Sequence, residues 1–142
     1  MIHQFVDLMT NHWILSILLG VVLLLLLVNE VFDRRLGVPK ISPESVVQWM
    51  NREGAVLLDI RGDAIFSAGH ILGAEHVPSS LLEKRMPALI KHKDKPVIVV
   101  CNLGQEAAKV GKTLSDQGFT KVMVLNGGIQ AWKAQGLPLV KS

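Results

Sequence analysis

The chain has 142 residues, 49% of them hydrophobic, with 15 Lys and Arg against 12 Asp and Glu and a formal net charge of +3. That length holds one domain of ordinary size plus a short attached segment, and leaves no room for a second full domain. The small basic excess comes without a run of Arg and Lys interleaved with aromatics, so no nucleic-acid surface is read from it; it suits an anionic membrane surface or an anionic substrate.

The mean hydropathy of +0.37 is high for a soluble chain, and the excess is local. Residues 13–28, WILSILLGVVLLLLLV, carry no charge. With the milder residues before them they predict one transmembrane helix over 8–28, in contact with the lipid bilayer, leaving 1–7 as a short N-terminal segment and 29–40 as a linker. A buried core helix rarely presents Leu and Val on every face, as the run from Val21 to Val28 would. A cleaved signal peptide would carry a basic residue ahead of its apolar run, and no Lys or Arg precedes Arg34. All the Lys and Arg follow the run, with Arg34, Arg35 and Lys40 close behind. The positive-inside rule therefore places the N-terminus outside and the C-terminal domain in the cytoplasm. A single cysteine fits a reducing compartment.

The Gly and Pro of DRRLGVPK read as linker, and the domain is expected over 41–142. Ser42 as N-cap, Pro43 at the first helical position and Glu44 in the first turn open a helix to about Arg52. AVLLDI is a continuous apolar run bounded by Gly54 and Arg61-Gly62, the pattern of a buried parallel strand. AEHV is a shorter strand, and LLEKRMPALIKH a helical pattern broken by Pro87. VIVV (97–100) and KVMVL (121–125) are two more strands. QEAAKVGKTLSDQ, closed by Gly118, and GIQAWKAQ, closed by Gly136, are helices. The alternation predicts an α/β domain with a central, mostly parallel sheet flanked by helices. In such sheets ligands bind beyond the carboxyl ends of the strands, where Cys101 falls.

Cys101 is the one cysteine, and the chain must turn from strand to helix directly after it. Gly104 permits the positive φ of a tight, concave turn whose N–H groups face inward. Together with the positive end of the following helix, such a nest holds an anion, and a thiolate is the anion at hand. The opposing reading is a buried Cys serving as a small apolar residue. A cysteine phosphatase would need an Arg at position 107 to clamp the phosphate, and Ala107 stands there. A papain-like site would need a histidine base. Of the five histidines, His3 and His12 belong to the membrane segment or its flank and His92 to a lysine-rich turn; His70 reads as a hydrogen-bonding scaffold residue. No histidine has metal-ligand spacing with Cys101, so neither a metal nor a cofactor is expected.

Three stretches taken together, LLDIRGDAIFSAGHILGAEHVP (57–78), VIVVCNLGQEAAKVGKTLSDQGF (97–119) and VMVLNGGIQAWKAQGLPL (122–139), resemble the signature regions of single-domain rhodanese-like sulfurtransferases. Joined to one N-terminal membrane helix, they resemble a membrane-anchored bacterial member of that family, which implies the inner membrane. The resemblance implies a rhodanese-like fold and persulfide chemistry at Cys101, with a sulfur donor (thiosulfate or a persulfide) and a thiol acceptor. Asn102, Leu103, Gly104, Gln105, Glu106 and Ala107 match the loop that cradles the transferred sulfur. Asp59, Arg61, Gly69, His70 and Gly73 match scaffold positions, and Gly127, Gly128 and Trp132 match a helix start and core packing. The loop departs from many active relatives in having Gln105 in place of a cation and Glu106 beside it, which implies weak activity on thiosulfate. A second reading of the same features is a non-catalytic rhodanese-fold module that brings a membrane-associated protein partner to the inner membrane.

Overall fold

The computed structural model describes the backbone throughout and the side chains of residues 1–8, 10–32 and 37–142. Arg34 and Arg35, on which the expected orientation leans, lie outside the residues whose side chains are described. The chain divides into two compact units, Met1–Gly37 and Val38–Ser142.

The first unit is helical. Helix α1, Ile2–Asn11, ends where His12 leaves helical geometry at φ −127° and ψ 47°, and α2, Trp13–Leu36, begins after it. Where one helix was expected over 8–28, the structure draws two, and the apolar stretch runs over Trp13–Phe32, 20 residues with a mean hydropathy of 2.7 and none of it buried. The shift toward the C-terminus has a plain cause: Val31 and Phe32 continue the apolar run past Asn29 and Glu30. At about 1.5 Å per residue such a stretch is roughly 30 Å long, the thickness of a bilayer's hydrocarbon core.

The second unit is a five-stranded parallel sheet with helices on both faces. In chain order it contains β1 (Lys40–Ile41), α3 (Pro43–Glu53), β2 (Val56–Asp59), α4 (Asp63–Ala68), β3 (Glu75–His76), α5 (Leu82–Leu89), β4 (Val97–Val100), α6 (Gln105–Asp116), β5 (Val122–Leu125) and α7 (Gly128–Ala134). The strand order is β1-β5-β4-β2-β3, and every pair is parallel. Helix α3 starts as read: the Ser42 hydroxyl accepts from the Ser45 N–H at 3.3 Å, and Gly54 closes the helix at φ 60°.

Three elements differ from expectation. Strand β1 straddles the expected boundary between linker and domain, with Lys40 in the one and Ile41 in the other, and two residues, one of them charged, give no pattern; the Ile41 carbonyl accepts from Asn126 N–H at 2.8 Å. Helix α4 buries none of its residues and so has no apolar stripe to read. Helix α5 continues through Pro87. Pro87 forgoes one bond, to the carbonyl of Glu83, and both residues are exposed, so water can satisfy that oxygen.

Side chains alternate along each strand, and the alternation sorts the core into two layers. Leu58, Val97, Val99, Val122 and Val124 face the α5 and α6 side with Leu89, Val110 and Leu114. Leu57, Ile98, Val100, Met123 and Leu125 face the α3 and α7 side with Val46, Ile129 and Trp132. The period carried one step past β4 places Cys101 with Val97 and Val99, in the α6 layer.

At the end of β2 the core holds a charged pair, Asp59 fully buried and Arg61 6% exposed. The Arg61 guanidinium donates to Asp59 through Nε at 3.0 Å and a terminal nitrogen at 2.8 Å, and that same terminal nitrogen donates to the Gly69 carbonyl at 2.8 Å. These two scaffold residues thus pair with each other and with a backbone carbonyl. Removing one member strands the other charge, so Asp59→Ala should cost about 3–5 kcal/mol of unfolding free energy in chemical denaturation, and Asp59→Leu with Arg61→Met should cost less than Asp59→Ala alone.

Candidate active site

Cys101 follows the middle strand of the sheet, at its carboxyl edge, and is 3% exposed. The chain turns over it through Gly104, at φ 96° and ψ −10°, into α6. A Cβ on Gly104 would stand 3.3 Å from the Gly127 nitrogen and 3.4 Å from the Leu125 carbonyl oxygen, so the turn is packed as well as conformationally demanding.

Two backbone N–H groups reach the sulfur. Gly104 donates to Sγ at 2.9 Å and Ala107 at 3.4 Å. Gly104 is the N-cap of α6 and Ala107 lies in its first turn, so the positive end of the helix adds to the same field. Sulfur held this way is more than filler: an apolar packing role asks for no donors, whereas two aimed N–H groups and a helix start suit an anion. Ala107, where a phosphatase would carry its Arg, is buried and spends its N–H on Sγ.

Around the sulfur the side chains of Asn102, Leu103, Gln105 and Glu106 are exposed, Leu103 at 61%. The mouth of the loop is therefore neutral amide and leucine, with one acid turned to solvent. Lys109 and Lys112 lie exposed farther along α6.

The expected scaffold residues assemble beside β2 and β3. His70 Nδ1 donates to the Phe66 carbonyl at 2.9 Å, and His76 Nε2 donates to the Arg61 carbonyl at 2.7 Å. Phe66 is stacked with both rings, its centroid 3.9 Å from His70 and 4.1 Å from His76. Each ring is thus committed to a backbone carbonyl and to Phe66, which fits the scaffold role expected of His70 and gives His76 the same one.

Sequence reasoning missed how closely α7 engages the loop. The Ile129 N–H donates to the Cys101 carbonyl at 2.9 Å, and the Gln130 N–H to the Asn102 carbonyl at 3.2 Å. Gln130 Nε2 donates to Asn102 Oδ1 at 3.0 Å. A Cβ on Gly128 would collide with the carbonyl oxygens of Cys101 and Asn102. The signal available in the sequence was Gly127-Gly128 ahead of a short helix; read as a helix start, it hid a close backbone approach. Trp132 is core, its Nε1 donating to the Pro138 carbonyl at 3.0 Å.

Comparison with known proteins adds to this geometry. Residues 42–135 match the family model for the rhodanese-like domain. The protein YibN of Escherichia coli K12 is 36% identical over 141 residues, covering 99% of this chain and 96% of YibN. The thiosulfate sulfurtransferase GlpE of Pseudomonas putida GB-1 is 35% identical over 95 residues, 67% of this chain and 84% of GlpE. A rhodanese-related protein from Thermoplasma volcanium superposes with a TM-score of 0.66 at 26% identity, over 73% of this chain and 99% of that one.

Gly104 and Gly118 share φ 96°, but a Cβ on Gly118 meets nothing within 4 Å. Alanine at either should destabilise by about 1–3 kcal/mol through backbone strain. Only Gly104→Ala should also slow alkylation of Cys101 by iodoacetamide near neutral pH; Gly118→Ala should leave that rate unchanged.

Proposed function

The chain belongs to the rhodanese-like domain family, and on that premise we propose that it is a membrane-anchored sulfurtransferase or persulfide carrier in which Cys101 holds the sulfur. The observation that carries this reading is the pair of N–H groups from Gly104 and Ala107 on the Cys101 sulfur, at the carboxyl edge of the sheet.

In the first step the Cys101 thiolate attacks the outer sulfur of the donor. An S–S bond forms to Sγ, and the bond between that sulfur and the rest of the donor breaks. Its electron pair leaves with sulfite, from thiosulfate, or with a thiolate, from a persulfide. In the second step an acceptor thiolate, or cyanide, attacks the outer sulfur, and the Cys101 thiolate is restored. No net oxidant is needed, because each step exchanges one bond to sulfur for another. In the loop from Asn102 to Ala107 the N–H groups of Gly104 and Ala107 point at Sγ, where they would stabilise negative charge.

The donor follows from the charge of the mouth. Thiosulfate is a dianion, and the loop offers it Gln105 and an exposed acid, Glu106, where a cation would draw it in. A persulfide on a small molecule or protein carries less charge and can use the exposed Leu103 as an apolar contact. The resemblance to a protein named thiosulfate sulfurtransferase supports thiosulfate as a slow substrate of the same chemistry.

The anchor is the apolar stretch Trp13–Phe32. With all 15 Lys and Arg after it, the rhodanese-like domain faces the cytoplasm from the bacterial inner membrane and the N-terminus lies outside. Flotation of the full chain with liposomes, resistant to carbonate extraction, checks the anchor.

Sulfur transfer to cyanide by the full chain in detergent should run several-fold faster with glutathione persulfide than with thiosulfate, and Cys101→Ser should abolish both. Gln105→Arg should raise kcat/KM for thiosulfate several-fold and change the persulfide rate little. No turnover with either donor would exclude the reading. It would turn attention to the other role the fold can play, a docking module at the membrane, which the exposed Leu103 would serve without Cys101.

A further inference from the structure

A trans peptide points its carbonyl and its N–H in opposite directions. Two consecutive carbonyls of the sulfur loop, those of Cys101 and Asn102, are held by the N–H groups of Ile129 and Gln130 at 2.9 and 3.2 Å. Ile129 and Trp132 of α7 pack in the layer on one face of the sheet, and Cys101 packs in the layer on the other. Drawing both oxygens toward α7 therefore turns the N–H groups of Asn102 and Leu103 away from it, toward the side of the loop that carries Sγ. Gly128 makes the close approach feasible, since any side chain there would meet the same two oxygens.

A side chain reinforces the backbone. Gln130 Nε2 donates to Asn102 Oδ1 at 3.0 Å across 28 residues of sequence. The bond joins the exposed residue directly after the cysteine to α7, and it leaves the Asn102 amide nitrogen, not its oxygen, free for the mouth of the site.

We propose that α7 is the positioning element of the sulfur loop, with Gln130 as a positioning residue that acts through Asn102. The contacts hold the peptide groups between Cys101 and Leu103 in the orientation that stabilises charge on Sγ and on the outer sulfur of a persulfide. The role in persulfide stabilisation rests on the sulfur-carrier reading; the orientation of the loop around the thiolate does not. Gln130 touches neither sulfur nor substrate, so its effect should reach the chemistry only through Asn102.

The test uses the full chain in detergent and four variants: Gln130→Met, which keeps the length of the side chain and removes the donor, Asn102→Ala, the two combined, and Lys133→Ala as an exposed substitution on the same helix that touches no loop residue. Alkylation of Cys101 by iodoacetamide is followed near pH 7 and near pH 10. At pH 7 Gln130→Met and Asn102→Ala should each slow alkylation about three- to tenfold, the span associated with loss of one ordinary hydrogen bond. The double variant should be no slower than Asn102→Ala alone, and Lys133→Ala should match the wild type. Near pH 10, above the ordinary range for thiols, all rates should converge, which a merely unfolded or opened loop would not produce. Gly128→Ala should act in the same direction and more strongly.

Unchanged alkylation in Gln130→Met at pH 7, or effects of the two single variants that multiply in the double, would overturn the proposal. Alkylation needs no sulfur donor. A wild type that takes up no sulfur while Gln130→Met still slows alkylation would refute the carrier reading and leave the positioning role of Gln130 standing.

Discussion

The hydrogen bond from the Gly104 N–H to the Cys101 sulfur, 2.9 Å long, depends on almost everything else in the domain. It requires β4 to be the middle strand, so that the loop after it is supported on both sides. It requires strand periodicity to hold through Val97, Val99 and Cys101, since a slip of one residue would turn the sulfur into the α7 layer and away from the start of α6. It requires a residue without Cβ where φ is 96° and backbone atoms of Leu125 and Gly127 stand close. Each requirement is met by a different part of the chain, and their agreement is what makes a lone, buried cysteine a candidate site.

The same logic sorts the polar residues around it. Asp59, Arg61, His70 and His76 look catalytic by residue type, and the structure shows all four engaged with carbonyls or with each other. They hold the segment between β2 and β3 in place. The proposed reactive part is smaller and mostly backbone: one sulfur, two N–H groups and a mouth of amide, leucine and one exposed acid. A loop of this kind carries little positive charge of its own, so under the proposed function the choice of donor follows from what the mouth fails to attract as much as from what the loop binds.

Much of this is legible in the amino-acid sequence. VIVV followed by Cys101, then Gly104 and an amphipathic helix, is a strand, a turn and a helix whose order dictates where the thiol sits. The central strands β4 and β5 are apolar on both faces, as is β2 up to Asp59, and they cannot be mistaken for surface. The elements that escaped were those whose sequences carry no pattern. Lys40–Ile41 is a strand by pairing with β5 alone, and α4 buries nothing. Pro87 suggested a break that an exposed helix face could absorb. The role of Gln130 escaped for a different reason. Its partner, Asn102, is distant in sequence, and no local rule links an exposed glutamine on a short helix to a loop behind another strand. The paired glycines at 127 and 128 were visible; the backbone they admit was not.

Intact-mass spectrometry of the full chain after incubation with glutathione persulfide, beside Cys101→Ser, tests the central claim most directly. A gain of one sulfur atom is expected in the wild type alone, removed by cyanide. No gain, or the same gain in Cys101→Ser, would contradict it, and the two aimed N–H groups would then have to be explained as packing.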